Sequence, residues 1–339
     1  MDLFFSCDIE GVSGAAAWGQ LAPGTPELQA LCGQMTREVA AACRAAVRAG
    51  GERILVKDAH DTGRNIALEE LPVQVQVNRG WAGDPYGMMS GIQHGSWDGA
   101  VFLGYHSGAG TSGSPMAHTM EPQKVDYIEI NGERASEFTL NAYMAGLHGV
   151  PVCFVSGDAA LCDAARRMVP GIAAVPVVKG EGGGATSLHP ALAAERIEKA
   201  LYDQLDSERY KTCLVPMPLQ FEVFVRYRSH QLAYHASFYP GASLCEEQTV
   251  RFACENYADA MRFFHFVLYP CAKGRGAPAF CFLPGLLNGK CKNFPFAGGK
   301  GLADAFFVCY NVYWPNFRKT ERGFLHNEKS IRRQNKRRI

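Results

Sequence analysis

The sequence predicts an α/β fold, a mostly parallel sheet flanked by helices, with a β-rich and helical C-terminal part and a poorly patterned basic tail. Three observations carry this. Short apolar runs alternate with amphipathic stretches of helical period along most of the chain, the order that builds βαβ units. The apolar runs stop abruptly at polar residues, as strands of an open sheet do where they reach its ligand-binding edge. After Tyr269 the periodicity ends and the charge changes: residues 271–339 hold 14 Lys and Arg against 3 Asp and Glu, so +11 sits on the tail and −10 on the rest of a chain whose net charge is +1.

The elements follow in order. Leu3 to Cys7 is a buried first strand. Leu28, Leu31, Met35, Val39, Cys43 and Val47 recur at three- and four-residue steps and predict a helix, with Thr25 as N-cap, Pro26 in the first turn and Gly50 at the exit. "RILVKDAH" from Arg53 is the second strand, which completes a βαβ unit. The alternation of Val73, Val75 and Val77 and the run "GAVFLGYH" from Gly99 to His106 add two more strands. "YIEINGERAS" carries Asn131-Gly132, a hairpin turn signal, and runs into a helix capped by Ser136 with Glu137 in its first turn. "VPVCFVSGD" from Val150 is a strand, "DAALCDAARRMV" a helix and "AAVPVVK" a strand. "HPALAAERIEKALYDQL" from His189 is a helix with Pro190 at its start. "CLVPMPLQFEVFVRYR" reads as strand material, and "CEEQTVRFACENYADAMRFFHFVL" as a late strand and helix. "GEGGGATS", Gly180 to Ser187, reads as a loop, because a phosphate-cradling loop would continue into Lys-Ser or Lys-Thr.

Composition narrows the class. Of 339 residues, 47 % are hydrophobic and 20 % charged, which suits a globular protein with a sizeable core. No run reaches the roughly 18 apolar residues of a membrane span, and "MDLFFSCDIEG" has no basic stretch before its apolar one. Neither a membrane anchor nor a signal peptide is expected, and the protein is expected to be cytoplasmic. The 12 cysteines are scattered, with no C-x-x-C pair, and read as buried free thiols. Two domains of unequal character result: residues 1–269, and a tail over 270–339 rich in Cys, aromatics, Gly and base. The tail matches no nucleic-acid motif, so nucleic acid is not expected as a partner. It reads as a loosely ordered, read-through or frame-shifted extension.

The strand ends hold the candidate chemistry. Asp8 and Glu10 stand in "SCDIEG", Asp58 and His60 in "KDAHD", and His106 in "GYHSG", with His118 following in "PMAHTM" and Glu137 at a helix start. Two acids two residues apart share one face of an extended chain and repel unless a cation lies between them. Carboxylates with neutral imidazoles are the donor set for zinc or a similar divalent ion. Gly11 lets the chain turn away beneath the acids. Singly, each residue has a structural role available: a strand-end His is a hydrogen-bonded scaffold residue, and Glu137 favours a helix N-terminus electrostatically. His94, His148, His189, His230, His235, His265 and His326 stay with that reading; convergence sets the others apart.

Over residues 1 to about 268 these motifs resemble the zinc-dependent, self-compartmentalising D-aminopeptidases of the dipeptide-operon type. "SCDIEG" matches the family's S-x-D-x-E-G sequence, and "KDAHD", "LGYHSG", "MAHTM" and "ASEFTLNAY" are similar to its later motifs in order and spacing. The resemblance implies two Zn2+ per chain, bridged by Asp8, with Glu10 and His60 completing one site and His106 and Glu137 the other. It assigns His118 to catalysis, as nucleophile or general acid/base, and proton transfer is favoured because a two-metal site already activates water. It further implies a homo-oligomer, a decamer, acting on short peptides with an N-terminal D-residue such as D-Ala-D-Ala. A metal-dependent amidohydrolase of another small amide, and a non-enzymatic metal-stabilised protein whose tail binds nucleic acid, are the alternatives.

Overall fold

The computed structural model describes residues 1–269, so the expectations for the tail, 270–339, and for its boundary lie outside the described residues. Twelve strands and six α-helices are found among the described residues. In chain order they are β1 (Asp2–Cys7), α1 (Pro26–Arg48), β2 (Arg53–Asp58), β3 (Val75–Asn78), β4 (Gly99–Tyr105), β5 (Val125–Ile130), β6 (Glu133–Arg134) and α2 (Glu137–Leu147). There follow β7 (Val152–Asp158), α3 (Ala159–Met168), β8 (Ala173–Glu181), β9 (Gly184–Ser187), α4 (Pro190–Asp206), β10 (Phe221–Tyr227), α5 (His230–Ala236), β11 (Ala242–Glu246), β12 (Thr249–Cys254) and α6 (Tyr257–Leu268).

The first sheet has the order β3-β2-β1-β4-β7-β8-β9 and is parallel except for β9, which pairs antiparallel with β8 at the edge. Its central strands are apolar on both sides: all seven residues of β4 and all seven of β7 are buried. That is the pattern of a sheet covered on both faces by helices. α1 packs against α4, and α2 against α6. Thr25 caps α1 by accepting the Leu28 N–H, and Pro26 occupies the first turn. The second sheet is antiparallel, in the order β11-β12-β10-β5-β6. Along β10 buried and half-buried residues alternate, as in a sheet with one wetter face.

The Asn131-Gly132 turn joins β5 to β6 with both residues left-handed, at φ 53° and 83°, as a two-residue hairpin requires. The expectation for Gly180 to Ser187 needs correction: the segment is a hairpin between β8 and β9, turned by Gly182 at φ 56°. Its glycines serve contact as well as the turn, since a Cβ on Gly180 would lie 2.5 Å from Gly113 O. Two strand expectations shorten. Val73 lies outside β3 and is 98 % exposed. The stretch from Cys213 becomes a strand only at Phe221, after Pro216 and Pro218, which cannot donate to a ladder. Five of the eight described cysteines are buried and all eight are free; Cys245, on β11, is the exposed exception. Among the described residues no helix is long and apolar enough to cross a membrane.

Candidate metal centre

The strand register levels the carboxyl ends of β1, β2 and β4, because Cys7 lies opposite both Asp58 and Leu103. The residues that follow these strands share one crevice. It lies where the sheet order reverses: the chain runs outward from β1 through β2 and β3, then crosses to the other side of β1 with β4. Asp8 and Glu10 follow β1, His60 follows β2 and His106 follows β4, while His118 comes from the connection to β5 and Glu137 opens α2.

The acid pair is stitched to the end of β4. The Asp8 N–H donates to Leu103 O and the Gly11 N–H to Gly104 O, both at 2.8 Å. Gly11 is needed for a reason other than the expected turn: a Cβ there would lie 1.8 Å from Tyr105 O, so only a bare backbone passes. The left-handed turn away from the site falls at Gly14, φ 92°. The His60 loop is held by Asp58, whose carboxylate accepts the Asn65 and Ile66 N–H groups, while the Asn65 amide donates to His60 O at 2.7 Å. Asp58 is thereby occupied and stands outside the donor cluster. Ser136 caps α2, and the carboxylate of Glu137 accepts the Met120 N–H at 2.6 Å.

Six side chains converge. His60 Nδ1 lies 3.4 Å from Asp8 Oδ1 and 3.0 Å from Glu10 Oε2. His106 Nε2 lies 3.4 Å from both Asp8 Oδ2 and Glu137 Oε2. His118 Nε2 is 3.5 Å from Glu137 Oε1 and 4.0 Å from Glu10 Oε1. Two triads of donor atoms result, each within 4.8 Å: Asp8, Glu10 and His60, and His106, His118 and Glu137. The two oxygens of Asp8 face different histidines, one from each triad. Among the described residues the other six histidines join neither triad; the expectation for His326 lies outside the described residues.

Burial makes these contacts matter. Asp8, Glu10, His106 and Glu137 are all at most 4 % exposed. Burial would raise the Asp8 carboxyl, but the His106 and His60 imidazoles, each 3.4 Å from one of its oxygens, hold it down at about 2. Burial would lower the His60 imidazole, yet Glu10 and Asp8 raise it to about 11; His106 is likewise raised, against burial, by Glu137 and Asp8. Glu137 is held down by His106 and His118 against its own burial.

The residues fit a divalent metal. Asp8 Oδ2, Glu10 Oε2 and His106 Nε2 are buried without a hydrogen-bond partner, although each has an oppositely charged neighbour within ion-pair distance. Buried polar atoms are otherwise nearly always satisfied, so lone pairs held close together but unaligned with one another mark a site shaped for a cation. The imidazole tautomers agree: His106 Nδ1 lies 3.0 Å from Ser107 O and His118 Nδ1 3.0 Å from Met116 O. With those nitrogens donating, Nε2 is the atom that each ring, once neutral, offers inward to a metal.

The sequence reading passes over Trp18. Its indole, 44 % exposed, meets the His118 ring edge-to-face with centroids 5.1 Å apart. It opens a short 3-10 turn, Trp18–Leu21, too short to show periodicity, and only the fold reveals its neighbour. Its turn is fixed by Gln20, whose side-chain oxygen accepts the Ala16 and Ala17 N–H groups.

Known proteins resemble this chain over most of its length. The sequence profile of the D-aminopeptidase family matches residues 1–266. A D-aminopeptidase of Bacillus subtilis (strain 168) is 29 % identical over 263 residues, spanning 77 % of this chain and 94 % of that protein. The solved structure of the zinc-dependent D-aminopeptidase DppA from Bacillus subtilis, described as a self-compartmentalizing protease, superposes with a TM-score of 0.73 at 26 % identity, covering 79 % of this chain and 97 % of that one.

Proposed function

We propose that this chain, which belongs to the D-aminopeptidase family and is a metal-dependent hydrolase of peptide bonds, removes N-terminal D-residues from short peptides such as D-Ala-D-Ala with two zinc ions per chain. The observation that carries the dinuclear reading is Asp8, whose two oxygens each lie 3.4 Å from a histidine of a different triad. The donor set supports it: the side chains form two triads, each with its donor atoms within 4.8 Å of one another. The zinc dependence of the Bacillus subtilis relative points to the same metal.

Asp8 would bridge, Glu10 and His60 would complete one site, and His106 and Glu137 the other. Bound there, two divalent ions supply Lewis-acid polarisation of the scissile carbonyl and acidify water. The protein's own part is proton management and closure. The His118 Nδ1–H is committed to Met116 O, so Nε2 is the atom that takes a proton from the attacking water and passes it to the leaving amine. His106 and Trp18 cover the His118 ring and keep bulk water from that exchange.

A homo-oligomer, of ten copies as the family resemblance implies, fits the apolar surface. Tyr234, Phe238 and Phe266, on and beside α5 and α6, are each more than half exposed, and a second copy would cover them. The self-compartmentalizing relative supports assembly. A cytoplasmic location is favoured by the free state of every described cysteine.

The test is hydrolysis of D-Ala-D-Ala against L-Ala-L-Ala by zinc-loaded protein, with light scattering for mass. Release of D-alanine alone supports the reading. Hydrolysis of neither dipeptide, with turnover of a non-peptide amide, would replace it by the amidohydrolase alternative.

A further inference from the structure

Asp158 is fully buried, lies outside both donor triads and is engaged beyond the needs of a helix cap. It ends β7 and caps α3, where Oδ1 accepts the Leu161 N–H at 2.9 Å. An N-cap needs nothing further. Yet the same carboxylate reaches across to β4 and takes both donors of Ser107: the hydroxyl at 2.7 Å on Oδ1, and the backbone N–H on Oδ2. Ser107 follows His106 directly, and its carbonyl lies 3.0 Å from His106 Nδ1.

The approach of the two strands is built to allow this. A Cβ on Gly157 would lie 1.9 Å from Tyr105 O, and Gly104 adopts φ 68° where the β4–β7 register shifts. The backbones abut at the positions that place Asp158 under Ser107.

We propose that Asp158 is a positioning residue for the metal centre. By clamping Ser107 it fixes the carbonyl that orients the His106 ring and holds Nε2 towards Asp8 and Glu137. Outer partners of this kind set the tautomer and direction of a ligating histidine. The inference rests on the reading of His106 as a metal ligand.

The experiment is zinc titration of metal-free full-length chain against a chromophoric chelator, with thermal melts, for the wild type, Asp158→Asn, Ser107→Ala and Thr25→Ala. In Asp158→Asn, either orientation of the amide sets an NH2 group against a backbone N–H, at Ser107 or at Leu161. We expect roughly 10–100-fold weaker zinc binding at one of two sites. Ser107→Ala, which loses only the hydroxyl bond, should weaken the same site less. Thr25→Ala removes a cap far along the chain; it should lower the melting temperature and leave zinc affinity unchanged. Wild-type affinity in Asp158→Asn with a lowered melting temperature would make Asp158 a helix cap only and overturn the inference. Should Asp158→Asn fail to fold, Ser107→Ala decides, and unchanged affinity there overturns it. A wild-type chain that binds no zinc overturns the metal reading itself, which the other outcomes leave intact.

Discussion

The rings of His106 and His118 stack in parallel, centroids 4.2 Å apart and planes 9° from coplanar, with one carboxylate, Glu137, facing both Nε2 atoms at 3.4 and 3.5 Å. Distance alone therefore groups His118 with the donors of one triad, and chemistry must separate its role from theirs. With proton transfer as that role, His118→Ala should keep wild-type zinc content and lose about 10²–10⁴-fold in turnover. Plasma mass spectrometry beside a peptide assay checks both halves. Loss of one zinc per chain would make His118 a ligand instead.

Asp8 should be the least replaceable donor. Asp8→Ala removes the carboxylate whose two oxygens each lie 3.4 Å from a histidine of a different triad, so both ions should be lost together. Glu10 reaches across to His118 at 4.0 Å, but with His118 moving protons rather than holding metal it serves one site, and Glu10→Ala should lose one ion. Equal metal content in the two variants would contradict a bridging Asp8.

Zinc loading should expel protons. In the metal-free protein burial works against the His60 imidazolium, but Glu10 and Asp8 keep it charged up to about pH 11, and His106 is raised in the same way. A ligating imidazole must be neutral, so binding near pH 7 should release about two protons and tighten as pH rises. Because these folded values exceed the ordinary 6.5, the pairs stabilise the metal-free fold fully below that pH; for His60 this is lost as pH climbs towards about 11. Calorimetry in two buffers of different ionisation enthalpy counts the protons, and a count of zero would refute the charged-histidine account.

Glu38 should make stability depend on pH near neutrality. Burial pushes its carboxyl up to about 7 from 4.5, although it accepts the Ser13 N–H at 2.9 Å and the Gln34 amide at 2.8 Å. Between those pH values the native state holds a proton that the unfolded chain has released. Its contribution to stability therefore falls as pH rises through that window, by up to about 1.4 kcal/mol per pH unit, and levels off above it. Glu38→Gln keeps an acceptor for Ser13 and should remove that slope. Urea denaturation of both metal-free proteins from about pH 5 to about pH 8 measures it, and parallel profiles would rule Glu38 out as the source.

Much of this was legible before any fold was known. The strand β1 and helix α1 with their caps follow from periodicity and from Thr25 and Pro26, which act locally. The hairpin at Asn131-Gly132 follows from two residues suited to positive φ. What failed was what depends on distant partners. Gly11 looked like a hinge and is a point of contact with Tyr105; Gly180 to Ser187 looked like a loop and is an edge hairpin packed on Gly113.

The sequence by itself determined the chemical inventory: carboxylates and imidazoles at the ends of successive apolar runs, in the order and spacing of a known family. A strand end is written in local residues, so it can be read locally. Only the tertiary structure decided that Cys7 lies level with both Asp58 and Leu103, that Asp8 turns one oxygen to each triad, and that Asp158 and Trp18 attend His106 and His118. Those relations join residues far apart in the chain, and they are fixed by sheet register and the close passage of backbones, which no local pattern encodes.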